Sequence, residues 1–216
     1  MDEEVQATAA RLVRRLKEGN HTITVAESCT GGLLASAFTD IAGASQWFRQ
    51  SWVTYSNDAK IKELGVTEEA LNRRGAVSAE VAIQMAQGAR VKADASIALS
   101  ITGIAGPSND GSNKKIGTVY VGVASENWAN SDITEIGGNR AENKIAFVHF
   151  ALLTAIKYWD RAMAKAEVAR KEEESRVAAE EDAKLQFEEE RAKREAEAKE
   201  NAPWQDDAWD GDKSTL

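Results

Sequence analysis

Thr22-Ile23-Thr24-Val25-Ala26-Glu27-Ser28-Cys29-Thr30-Gly31-Gly32-Leu33-Leu34-Ala35-Ser36-Ala37 decides how this chain folds. A β-branched run leads into a polar, glycine-containing break and then into a small-residue apolar stretch. That order reads as strand, tight turn, helix. Ser28 then stands at the end of a sheet, beside backbone N–H groups that a helix start leaves unpaired. Such a turn serves a nucleophile, an anion site or a plain chain reversal, and the remaining sequence has to decide between them.

Outward from this turn, helices and buried-looking strands alternate. Upstream, Val5, Ala9, Leu12, Val13 and Leu16 recur at helical spacing over Glu3 to Glu18. Downstream, the helix runs to about Ile41 and Gly43-Ala44-Ser45 breaks it. Trp47 to Tyr55 reads as a strand whose tryptophans serve packing. Ser56 caps a short helix that contains Lys60 and closes near Gly65. Another short helix starts at Thr67, and Ser78 caps one that runs to about Arg90. Ala95 to Thr102, Ile116 to Ala124 and, more weakly, Asp132 to Ile136 read as strands, and helical patterning resumes near Ala141. The expectation is an α/β domain over residues 1–160 with helices covering a sheet.

From about Ala164 the composition changes to Ala, Glu, Lys and Arg, with opposite charges three and four residues apart. Val168, Val177, Leu185 and Phe187 are too few and too irregular for a sustained heptad seam, so residues 161–200 are expected to form a long charged, solvated helix. Asn201-Ala202-Pro203 stops it. The acidic, tryptophan-containing end, residues 201–216, is expected to be disordered when alone.

Composition narrows the function. Of the net charge of −8, residues 161–216 carry −6, and neither part has the basic stripe that duplex nucleic acid needs. No apolar run is long enough to span a bilayer, and no secretory signal is visible. Cys29 is the only cysteine, which excludes an intramolecular disulfide and cysteine zinc clusters and fits a reducing cytoplasm.

Three polar sets fall at strand ends: the Ser28 turn, Thr54-Tyr55-Ser56-Asn57-Asp58-Ala59-Lys60, and Thr102-Gly103-Ile104-Ala105-Gly106-Pro107. In an α/β sheet the loops leaving parallel strands gather on one edge, where ligands bind. The glycine loop lacks the Lys-Ser/Thr ending of a P-loop and the dinucleotide fingerprint, and the serine block lacks the Gly-x-Ser-x-Gly frame. A nucleoside triphosphatase and a conventional esterase are thereby disfavoured.

Over about Val5 to Ile156 the chain resembles the CinA C-terminal domain family. The resemblance rests on Ala26-Glu-Ser-Cys-Thr-Gly-Gly32, Tyr55-Ser-Asn-Asp-Ala-Lys60 with Leu64-Gly65-Val66, Gly75-Ala-Val-Ser-Ala-Glu80, and Thr102-Gly-Ile-Ala-Gly-Pro107 with Gly117-Thr-Val-Tyr120. It implies a three-layer α/β/α sandwich, here followed by a long charged C-terminal helix. It also implies hydrolysis of nicotinamide mononucleotide to nicotinate mononucleotide and ammonia, without metal or other cofactor. The serine nucleophile, tyrosine and lysine of that chemistry match Ser28, Tyr55 and Lys60. The chain would then be a stand-alone deamidase domain, lacking the family's amino-terminal cofactor-type domain, and a homo-oligomer.

The residues support that chemistry. Serine needs a base, and His21 and His149 sit at ordinary helix or helix-exit positions; a lysine with a lowered pKa can replace histidine. Lys60 would take the Ser28 proton directly or through the Tyr55 hydroxyl. Cys29 is intrinsically more nucleophilic, yet a cysteine hydrolase would want a partner histidine. Backbone N–H groups of Cys29, Thr30, Gly31 and Gly32 are the expected oxyanion donors. Thr102, Gly103, Ile104, Ala105 and Gly106 form the expected substrate loop, with Arg140 as a bidentate phosphate contact. Lys144 stands where the family often has a second arginine, and residues 108–115 are less glycine-rich than in the family. The rival expectation is a non-catalytic binding or assembly protein on the same scaffold, its helical acidic tail recruiting a protein partner.

Overall fold

A computed structural model describes residues 2–109, 111 and 113–200; the expected disorder of 201–216 lies outside the described residues. The elements run α1 (Glu3–Glu18), β1 (Ile23–Glu27), α2 (Leu33–Thr39), a 3-10 turn (Ala44–Gln46), β2 (Phe48–Val53), α3 (Asn57–Leu64), α4 (Glu68–Arg74), α5 (Ala79–Ala93), β3 (Ile97–Gly103), β4 (Thr118–Ser125), β5 (Ala129–Glu135) and α6 (Arg140–Glu200). The sheet order is β2-β1-β3-β4-β5. β2, β1 and β3 are parallel, whereas β4 and β5 return antiparallel. The parallel trio sends the chain ends after Val53, Glu27 and Gly103 out along one edge, and that edge positions the site.

Side chains alternate across the pleat and sort into two apolar layers. Val25, Leu99 and Val123 face one way, against Leu12 of α1, Phe38 of α2 and Phe147 of α6. Ala26, Ala98 and Ala124 face the other way, against Met85 and Ala86 of α5 and Leu71 of α4. Two helical layers thus enclose the sheet, an α/β/α arrangement. The alanine face lets α5 press close: a Cβ on Gly122 would stand 2.3 Å from the Ala82 carbonyl oxygen, and Ser100 Oγ donates to that same carbonyl at 2.5 Å. A bulkier residue at either place would push the helix off the sheet.

Local chemistry sets the helix ends. Ser56 accepts from the Ala59 N–H and Ser78 from the Val81 N–H, each satisfying a donor that the helix leaves open. Asn139 and Glu142 close α6 reciprocally: Asn139 Oδ1 accepts from Ala141 N at 2.9 Å, and Glu142 Oε2 accepts from Asn139 N at 2.8 Å. Strand ends move by more. β3 runs one residue further than the expected Thr102, because Gly103 pairs with Val119. β5 begins at Ala129 rather than Asp132, because Ala129 pairs with Ala124. Trp47 is buried against Phe38, at 5.8 Å between rings, and Trp52 packs on the alanine side.

The chain divides into two compact units, one to Ala162 and the second from Met163. In the second unit residues 163–200 are helical and exposed throughout. Ion pairs one turn apart lace it, among them Arg170 with Glu167 and Glu174, Arg176 with Glu173, and Arg191 with Glu195. Among the described residues no helix is long and apolar enough to cross a membrane.

Candidate active site

β1 carries its pairing one residue past its end: the Ser28 N–H donates to the Ile101 carbonyl at 3.0 Å. Ser28 is buried there, with its hydroxyl at the mouth of the turn. The neighbouring strand supplies the base candidate. After β2 the chain enters α3, and Lys60, in the second half of the first turn, points back to the sheet edge. Its side chain is 1% exposed. Nζ lies 3.1 Å from Ser28 Oγ, 2.7 Å from the Thr54 carbonyl oxygen and 3.4 Å from the Tyr55 carbonyl oxygen. Among the described residues no carboxylate pairs with it.

Burial without a counter-charge pulls the Lys60 pKa down from 10.5 to about 8. Either form of the amine fits these partners: an ammonium donates to all three oxygens, and a neutral amine donates to the two carbonyls and can accept from the serine hydroxyl. The adjacent thiol is pushed the other way, to about 12, mainly by burial. Cys29 is therefore a protonated, poorly nucleophilic neighbour. His21 packs its ring on Trp159 at 4.7 Å, and His149 Nε2 meets Thr8 Oγ1 at 3.1 Å; neither lines the cleft.

The turn after Ser28 departs from expectation in one respect. Gly31 N–H donates to the Ser28 carbonyl at 3.2 Å, and Gly32 N–H donates to Glu27 Oε2 at 3.0 Å. Both amides are occupied, leaving those of Cys29 and Thr30 as the available donors. The glycines themselves serve the bend: their φ values of 64° and 100° lie in the left-handed region that side chains resist. Glu27, which the sequence reading passed over, is a wholly buried carboxylate at the core of this turn.

A cleft of about 680 Å³ opens in front of Ser28 and Lys60. The glycine loop after β3 forms its opposite side. There the carbonyls are tied away from the opening: Ile104 O accepts from Gly117 N at 2.7 Å, Ala105 O from Asn143 Nδ2 at 3.1 Å, and Gly106 O from the Arg140 guanidinium. The amides of Ala105 and Gly106 have no partner among the described residues and are suited to an anion. Thr102 lines the cleft too, but its hydroxyl is engaged, donating to the Ala76 carbonyl at 2.8 Å. It thereby fixes the wall Gly75-Ala76-Val77, to which the sequence reading gave no role.

Of the two expected proton routes, direct or through Tyr55, the geometry is closer to the direct one. Tyr55 is 59% exposed on the rim, and its hydroxyl accepts from Arg140 Nη2 at 2.7 Å. Lys60 reaches Ser28 without it. Lys144 Nζ lies near the Ser28 turn, 3.8 Å from where a Cβ on Gly31 would stand, and outside the cleft lining. Among the described residues no three His, Cys, Asp or Glu side chains gather as a metal site.

A family model described as the CinA C-terminal domain matches residues 5–159. A nicotinamide-nucleotide amidohydrolase PncC of Escherichia coli (strain K12) is 47% identical over 123 residues, covering 57% of this chain and 74% of that one. A CinA-like protein of Chlorobium limicola is 44% identical over 161 residues, covering 72% of this chain and 38% of that one. This chain spans about a third of the length of the curated CinA-like and competence-damage inducible relatives it matches. Among solved structures, a competence/damage inducible protein CihA from Agrobacterium tumefaciens aligns with a TM-score of 0.70 at 37% identity, covering 73% of this chain and 96% of that one.

Proposed function

The chain belongs to the CinA C-terminal domain family, and from that membership we propose that it hydrolyses the carboxamide of nicotinamide mononucleotide to nicotinate mononucleotide and ammonia. The activity comes from the name of the PncC relative. The observation that carries it to this chain is the buried Lys60 amine 3.1 Å from Ser28 Oγ.

Neutral Lys60 accepts the hydroxyl proton as Ser28 Oγ bonds to the carboxamide carbon. The negative charge gathering on the amide oxygen is met by the Cys29 and Thr30 N–H groups. As the intermediate collapses, the carbon–nitrogen bond breaks and Lys60 returns its proton to the departing nitrogen, which leaves as ammonia. Water then attacks the ester on Ser28; Lys60 takes a proton from that water and passes it to Oγ, which restores the hydroxyl. The substrate phosphate lies against the Ala105 and Gly106 amides and Arg140, whose planar fork suits two phosphate oxygens.

The test is ammonia release from nicotinamide mononucleotide. Ser28→Ala should lower kcat by at least about 1,000-fold, while Cys29→Ala should stay within about threefold of wild type, as expected for a buried neutral thiol. Loss with the cysteine variant and retention with the serine variant would reverse the assignment.

A further inference from the structure

Resting on the reading of Ser28 and Lys60 as the reacting pair, we infer that Glu27 is the positioning residue that holds the two in register. Glu27 is the last residue of β1 and is 0% exposed. Among the described residues no cation pairs with it. A bare carboxylate is costly to bury, so something must hold it. Three main-chain donors do: Gly32 N at 3.0 Å and Leu34 N at 3.1 Å on Oε2, and Ala35 N at 2.8 Å on Oε1. Only an ionised carboxylate accepts three donors without presenting one of its own; a carboxamide would turn an NH₂ toward at least one of these N–H groups.

The connectivity assigns this arrangement to the reaction as well as to the fold. The residue at the N-cap of α2 is Gly32, which has no side chain to cap the helix. The capping oxygens come instead from the strand, across the turn that contains Ser28, Cys29 and Thr30. That turn is therefore held at both ends, by Ser28 N on Ile101 O and by Gly32 N on Glu27. The main chain of Glu27 reaches the other partner: its carbonyl accepts from Thr54 N at 2.8 Å, and the Thr54 carbonyl accepts from Lys60 Nζ at 2.7 Å. One residue thus ties the hydroxyl and the amine to a common frame, while the Arg140 and Gly106 side of the cleft is not bonded to it.

Glu27→Gln and Glu27→Asp in the full-length chain test this by thermal unfolding and by kcat and KM for nicotinamide mononucleotide. The expected result is a cooperatively folded protein with kcat lowered by about 100-fold for Gln, as for a reacting group displaced by about 1 Å. Asp, which keeps the charge but is one methylene shorter, should recover part of that loss. KM should stay within about threefold, and the rise of rate with pH should keep its midpoint, because the groups around Lys60 are unchanged. The rate at which a fluorophosphonate probe labels Ser28 should fall by about tenfold or more in the Gln variant. That readout needs no substrate turnover, so it tests Glu27 even if the wild-type chain releases no ammonia. The proposal is overturned if folded variants keep kcat and labelling near wild type, if KM alone moves, or if neither variant folds, which would make Glu27 a folding element only.

Discussion

The two sides of the cleft are built from different materials. On the β1–β2 side the groups proposed to react are buried side chains, Ser28 and Lys60, and the proposed positioning residue, Glu27, is buried too. On the β3–α6 side they are main-chain amides of Ala105 and Gly106 and an exposed guanidinium, Arg140. Burial is what moves the lysine to about 8 and suits it to the proposed role of base; an exposed arginine keeps its charge and suits a charged ligand. The contrast teaches that a desolvated half can do proton chemistry while a solvated half does the holding. On that division, variants of the first half should act on kcat and variants of the second on KM.

The largest expected effect is Lys60→Met, with a fall in kcat of about 1,000-fold or more and little change in KM, measured by ammonia release. A large KM change with kcat retained would break the contrast. In wild type the rate should rise with pH through about 8, because the reaction needs the unprotonated amine. Stability should follow the same group. Between about 8 and 10.5 the unfolded chain holds a proton on Lys60 that the folded chain has lost, so the Lys60 contribution to folded stability rises over that window, against the opposite contribution of Cys29 above about 9. The gain, about 3 kcal/mol in all by the usual conversion of pKa differences, is lost as pH falls back through the folded value. Lys60→Met should lack this contribution, so the change in stability between pH 7.5 and 10.5, read by denaturant titrations, should be more favourable in wild type than in the variant.

Next in size is Arg140→Ala, expected to raise KM for nicotinamide mononucleotide by about tenfold with kcat within about threefold, as for one charge-assisted pair to phosphate at a wet rim. An equal loss in kcat would place Arg140 in the reaction and blur the two sides. Smallest is a chain ending at Ala162, where the first compact unit closes. Both constants should stay within about twofold of the full-length protein, since every residue assigned a role here precedes that point. A collapse of activity would make the charged helix part of the catalytic unit, whereas absence of ammonia release from the full chain would favour the binding role.

What could be read from the chain follows the range of the forces involved. Helix starts were legible at Ser56 and Ser78 because capping is settled within three residues. Strand ends at Gly103 and Ala129 were not, because their extent depends on partners elsewhere in the sheet. In the site, Ser28 and Lys60 stand out chiefly through the family resemblance, and their contact joins positions 32 apart and needs the parallel pairing of β1 with β2. Gly31 and Gly32 suggested open donors; the left-handed bend instead uses both amides internally. The Tyr55 hydroxyl goes to Arg140, whose arrival depends on α6 docking near a loop 85 residues upstream. Glu27 had a visible signal, an acid within a strand otherwise free of charge, but only the folded turn shows what receives it.

One consequence of the thiol beside Ser28 concerns chemical durability. A sulfur that is shielded and held protonated is slow toward electrophiles and peroxide alike. Iodoacetamide or mild oxidation should therefore leave Cys29 unmodified, and the proposed ammonia release should persist without a reductant.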